Sequence, residues 1–208
     1  MESASDRFDP VARAVRLIAP FCTPVSDFGT LRAVDPDAVP EPFRRLLDHS
    51  SHMTVVMERF HAAPVSLRVV ATNESSGSAA AGEDATRSPG WYAREILLSD
   101  PQGRVVQHGI VRIDLKQVQP AVAATIRAAT VPLGRILIDA GMLREVHDVR
   151  LLKIVPGPHL RRLWADGSPA ERVAASVYGR VADISLGGRP AVELLEIVAP
   201  GPWPKVLL

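Results

Sequence analysis

The clearest alternation of apolar and polar positions lies at residues 91–99, WYAREILLS, followed by DPQG at 100–103. Proline presets φ and glycine accepts a positive φ, so this run predicts a strand that turns back into a second strand at 104–114. A second hairpin is predicted over 173–186 and 189–198, joined at Gly187-Gly188. Residues 65–72 and 145–155 predict further strands. Residues 52–60 read as a strand, with a helix left open by their Met and Glu. Behind Asp9-Pro10, a capping carboxylate and a first-turn proline, Val11, Val15 and Ile18 predict a short helix. Further helices are predicted at 42–49 with Phe43, Leu46 and Leu47 inward, at 116–129, through Ile136 and Ile138 after a break at 131–134, and at 158–165. Residues 21–42, rich in Pro, Asp and Gly, predict an irregular arm, and 73–90 predict a flexible hairpin loop. Hairpins separated by helices, without βαβ alternation, imply a single α+β domain with a mainly antiparallel sheet and helices packed against it. The expected organisation is a helix and arm over 1–42, then the main domain over 43–208.

Two charges break this pattern. Strand alternation puts Arg94 on a face with Tyr92, Ile96 and Leu98, and Glu196 on a face with Val192, Leu194 and Val198. A guanidinium cannot be neutralised by losing its proton, so a buried one requires a carboxylate or an anionic ligand. Two readings follow: a structural ion pair between Arg94 and Glu196, or two opposed groups that face a ligand.

Composition narrows the chemistry. With 208 residues, 47% of them hydrophobic, the chain can bury one good core. Its net charge of +1 comes from intermixed acids and bases, with no basic patch interleaved with aromatics, so no nucleic-acid partner is expected. The single cysteine, Cys22, excludes an internal disulfide framework and fits a cytoplasmic location. No signal sequence and no membrane-spanning run is evident. Among six histidines only His49 and His52 are close, and neither HExxH nor a Cys cluster occurs, so no metal site is expected. A phosphate-binding glycine loop, a dinucleotide fingerprint and GxSxG are also absent, so any chemistry is expected to need no cofactor.

Several motifs occur in a telling order: Met53-Thr54, YAREILL at 92–98, TVPLGR at 130–135, a hairpin with Gly-Arg-Pro at its turn, and EIVAP at 196–200. In order and spacing the chain over 43–200 resembles the bacterial chorismate pyruvate-lyases, apart from a longer loop at 73–90. The resemblance implies a chorismate lyase-like fold with an enclosed pocket, and cofactor-free conversion of chorismate to 4-hydroxybenzoate and pyruvate. It further implies that Arg94 binds the ring carboxylate and Leu133 offers its backbone N–H. Glu196 would hold the hydroxyl end of the ring, and Met53 would line the pocket. Arg94 and Glu196 would be the catalytic pair. The lyases carry a second arginine on the strand after the DPQG-type turn; here His108 or Arg112 takes its place. The same fold also serves as a sensing domain in transcription regulators, so a non-catalytic binder of a small aromatic carboxylate is the alternative. The first 40 residues are too short and Pro-rich to supply a helix-turn-helix.

Overall fold

The computed structural model describes residues 9–74, 90–165 and 175–201. Seven antiparallel strands form one sheet in the order β1-β5-β6-β7-β4-β3-β2. They are β1 (Gly29–Val34), β2 (Ser66–Glu74), β3 (Trp91–Ser99), β4 (Val105–Asp114), β5 (Arg144–Pro156), β6 (Val177–Leu186) and β7 (Arg189–Val198). The two predicted hairpins are present, and β4 of the first pairs with β7 of the second, so β4 and β7 form the centre of the sheet.

Among the described residues six α-helices cover the two faces: α1 (Pro10–Ile18), α2 (Phe43–Leu47), α3 (Met53–His61), α4 (Pro120–Ala128), α5 (Leu133–Asp139) and α6 (Pro158–Ala165). Asp9 caps α1, its carboxylate accepting from the Val11 N–H at 2.9 Å. On one face, Ala14, Leu17 and Ile18 of α1 and Leu160 and Trp164 of α6 pack with Phe28 over Leu195, Ile197 and Val181. The other face carries two clusters. Ala123 and Ile126 of α4 and Leu133, Ile136 and Leu137 of α5 cover Tyr92, Ala182, Val192 and Leu194. Leu46 and Leu47 of α2 and Met53 and Met57 of α3 cover Leu98, Tyr178 and Val198.

Three sequence expectations are corrected. Residues 53–61 form a helix, not a strand: Met53 and Met57, one turn apart, share the buried side. Ala62, with φ of 49°, closes the helix by donating to carbonyls of its last turn. Valines 55 and 56 suggested a strand, but nine residues with buried positions four apart fit only the helical period. The expected irregular arm contains β1, which pairs with β5 along the sheet edge. An edge strand half open to solvent needs few apolar residues, and only Leu31, Ala33 and Val34 hint at it. In α1 the buried residues are Arg13, Ala14, Leu17 and Ile18, whereas Val15, expected on the apolar stripe, is exposed. Most of the loop expected at 73–90 lies outside the described residues.

Candidate functional site

Between the two clusters on the second face the sheet has a gap. Gly109 of β4 pairs with Ile96 of β3 on one side and with Glu196 of β7 on the other, and contributes no side chain between them. A Cβ there would lie 3.1 Å from Ile96 Cγ1. The resulting cavity measures about 60 Å³. Arg94, Ile96, Gln107, Leu194 and Glu196 of the sheet form its floor; His52, Met53, Thr54, Leu133 and Gly134 form its roof. All four residues singled out from sequence, Met53, Arg94, Leu133 and Glu196, therefore line one cavity.

The reason for the convergence is local. Met53 and Thr54 open α3 and Leu133 opens α5, so first-turn N–H groups that lack partners within their own helices are carried to the cavity roof. These helix ends bring positive potential to the same space. Gly134 stays small because the His52 ring packs on it, 3.3 Å from where a Cβ would stand.

Arg94 is 1% exposed. Its Nη2 donates to the Val131 carbonyl at 3.1 Å, which holds the turn into α5 above the sheet. Among the described residues its Nε and Nη1 are buried without a partner, and no carboxylate lies within ion-pair distance. Burial pushes the guanidinium pKa down, with Tyr92 opposing, but guanidinium pKa values start so high that the charge persists at neutral pH.

Glu196 does not pair with Arg94. Its Oε2 accepts from Arg180 Nε at 2.8 Å and from Nη2 at 2.7 Å. Among the described residues no donor reaches its Oε1. The structural-pair reading of Arg94 and Glu196 is thereby overturned: a cavity separates them, and the ion pair belongs to Arg180. Arg180, 1% exposed, also donates to the carbonyls of His49 at 2.7 Å and Ser51 at 3.1 Å. Sequence reasoning missed Arg180, although the same signal marks it. Alternation in β6 places it with Tyr178, Ala182 and Ile184, one more charge on an apolar face.

Neither residue expected in place of the second arginine reaches the cavity. His108 lies on the opposite sheet face, where its Nε2 and that of His159 both meet Glu95 Oε1, at 2.8 and 2.7 Å. Arg112, on that face too, packs over Trp91 and donates to Glu193. The β4 residues that line the cavity are Gln107, Gly109, Ile110 and Val111.

The two close histidines are engaged elsewhere. His49 Nδ1 accepts from the Ser51 N–H at 3.1 Å, and His52 Nε2 accepts from Arg144 Nε at 2.6 Å. Burial, then the neighbouring Arg180 and Arg144 respectively, push both imidazoles towards the neutral form. One other group of potential metal ligands occurs among the described residues, His147, Asp148 and Asp183. Its charge is already met, since Arg13 donates to Asp183 at 2.7 Å and His147 bonds Ser185 at 2.8 Å.

Sequence comparison finds no matching family model and no matching curated protein. Comparison of the fold does find relatives. PhnF from Mycobacterium smegmatis superposes with a TM-score of 0.53 at 10% identity, over 71% of this chain and 63% of that one. The ligand-binding domain of a GntR-family transcriptional regulator from Bordetella bronchiseptica matches at 0.46 and 12% identity, over 69% and 92%. The C-terminal domain of the histidine utilization repressor from Pseudomonas syringae matches at 0.46 and 14% identity, over 68% and 95%. The likeness to PhnF shows the fold, which is the chorismate lyase-like α+β fold. No helix among the described residues is long and apolar enough to cross a membrane.

Proposed function

We propose that this chain is a non-catalytic sensing domain that binds a small aromatic carboxylate in the cavity between α3, α5 and the sheet. The observation that carries this reading is Arg94: a buried guanidinium with two unpartnered donors, beside a cavity roofed by helix N-termini. A carboxylate would supply the missing acceptors in a bidentate fork. Glu196, clamped by Arg180 on one oxygen, would accept a hydroxyl or amine proton of the ligand on the other. Met53 and Leu133 would pack on its ring, and the Leu133 N–H would serve as a further donor.

The free space sets a condition. A protein cavity that holds benzene measures about 150 Å³, against about 60 Å³ here. A ring therefore enters only if the roof lifts, and His52 is the roof residue that also lines an open groove outside the cavity. A cytoplasmic site of action is proposed on the single, buried Cys22.

The second reading, cofactor-free elimination of pyruvate from chorismate, is favoured by the motif order and by Arg94 and Glu196 sharing one cavity. It is weakened by the missing second arginine: chorismate carries two carboxylates, and the cavity offers one guanidinium not already paired. One experiment separates the readings. Calorimetric titration with 4-hydroxybenzoate, alongside incubation with chorismate and detection of pyruvate, should give saturable binding and no pyruvate. Release of pyruvate above the spontaneous rate would establish the lyase, and absence of binding by any small aromatic carboxylate would end both.

A further inference from the structure

Outside the inner cavity, and sharing His52 with it as a wall, lies an open groove of about 500 Å³. Its polar side is made by Ser50, Ser51, His52, Arg59 and Arg144. Its other side is apolar, with Val55 of α3, Ile138 of α5 and the turn residues Met142 and Leu143. No aspartate or glutamate lines it among the described residues, so its two charges are both guanidinium groups. Arg144 spends Nε on His52 Nε2 at 2.6 Å and Nη1 on the Met142 carbonyl at 3.2 Å, which leaves Nη2 without a partner among the described residues. Arg59 stands one turn beyond Val55 on α3 and has no ion-pair partner among the described residues either. A half-buried guanidinium held in one orientation by two acceptors, neither of them charged, lacks a counter-anion.

We propose that this groove is an oxyanion subsite for a phosphate group, held by Arg144 and Arg59 and by the hydroxyls of Ser50 and Ser51. Guanidinium forks and hydroxyls match the several acceptor oxygens of a phosphate better than the two of a carboxylate. The inference does not depend on what fills the inner cavity. It does connect the two spaces: a phosphate on Arg144 Nη2 binds the same guanidinium that donates to His52, a wall of the inner cavity.

Titration of the full chain with inorganic phosphate, followed in ¹⁵N–¹H spectra against chloride at matched ionic strength, tests it. Saturable shifts are expected at the Ser50, Ser51 and Arg59 amides and at the His52 imidazole nitrogens. Arg144→Met should weaken phosphate about 10- to 100-fold, the loss expected for one charge-assisted contact. The exposed position makes Arg59→Ser a second variant that leaves the fold intact, and it should weaken phosphate as well. Arg94→Met should leave the phosphate shifts in place even if it abolishes carboxylate binding, so failure of the inner-site reading stays distinct. Shifts that match chloride, that persist in both groove variants, or that vanish in Arg94→Met would overturn the proposal.

Discussion

Replacing Arg94 with methionine should make the empty protein more stable while removing its ligand affinity. The guanidinium has one protein hydrogen bond, to Val131, and two buried donors with no partner. Each such donor costs about 1–3 kcal/mol, and the bond to Val131 returns about 1 kcal/mol. Methionine fills a similar length of space without a charge, and buried charges exchanged for apolar groups are commonly neutral or stabilising by about 1–4 kcal/mol. The balance is a gain of about 1–5 kcal/mol in unfolding free energy, or roughly 2–20 °C in midpoint for a chain of this size. If the cavity takes a carboxylate, the same change removes a contact worth about 2–5 kcal/mol, so affinity should fall by a factor of about 30 to several thousand. Urea denaturation and calorimetric titration with 4-hydroxybenzoate on the same preparations read both quantities. Arg94→Lys should lose most of the affinity as well, because an ammonium lacks the planar fork. A loss of more than about 1 kcal/mol in Arg94→Met would refute the reasoning, since it would mean that the guanidinium is compensated in the empty protein.

Glu196→Gln should be costly in stability, by about 3–5 kcal/mol in urea denaturation, because Arg180 then stays buried without its counter-ion. Gly109→Val should fill the gap between Ile96 and Glu196 and weaken 4-hydroxybenzoate by at least about tenfold in titration, the effect of occluding a small pocket. Acid should destabilise the fold through Glu95: burial pushes its carboxyl up, but hydrogen bonds and charge from His108 and His159 together outweigh this and hold its pKa below the ordinary value. A lowered carboxylate pKa contributes stability that is present above the unfolded value and lost as pH falls through the folded one. The urea midpoint should therefore drop below about pH 4.5, and Glu95→Gln should flatten that drop. The half-buried imidazoles of His49, His52 and His61 are also shifted towards the neutral form, chiefly by desolvation. Their share of stability should decline as pH falls below about 6.5, measurable by denaturation of a His61→Gln variant across that range.

The hairpins were readable because a period of two bounded by DPQG or Gly-Gly admits few other structures, and Arg94 and Glu196 were readable because a charge interrupts an apolar face. The same rule marks Arg180 in β6, where a charge again interrupts an apolar face. Other features were not in the local pattern. Valines 55 and 56 mimic a strand within a nine-residue helix, and β1 borrows its order from β5 along an edge. That Glu196 pairs with Arg180 follows from the register of β6 against β7, where the two residues stand opposite each other. The side of β4 that faces the cavity likewise depends on register, and a one-residue difference puts Gln107 and Gly109 there in place of His108.

Arg180 gives the cavity an outward connection. One guanidinium joins the Glu196 carboxylate to the carbonyls of His49 and Ser51, in the loop between α2 and α3. Whatever draws Glu196 towards a ligand thus pulls on a segment that reaches the protein surface at Ser51. Thermodynamic linkage makes the traffic two-way: a partner that fixes this loop changes ligand affinity by the same factor by which the ligand changes the partner's grip.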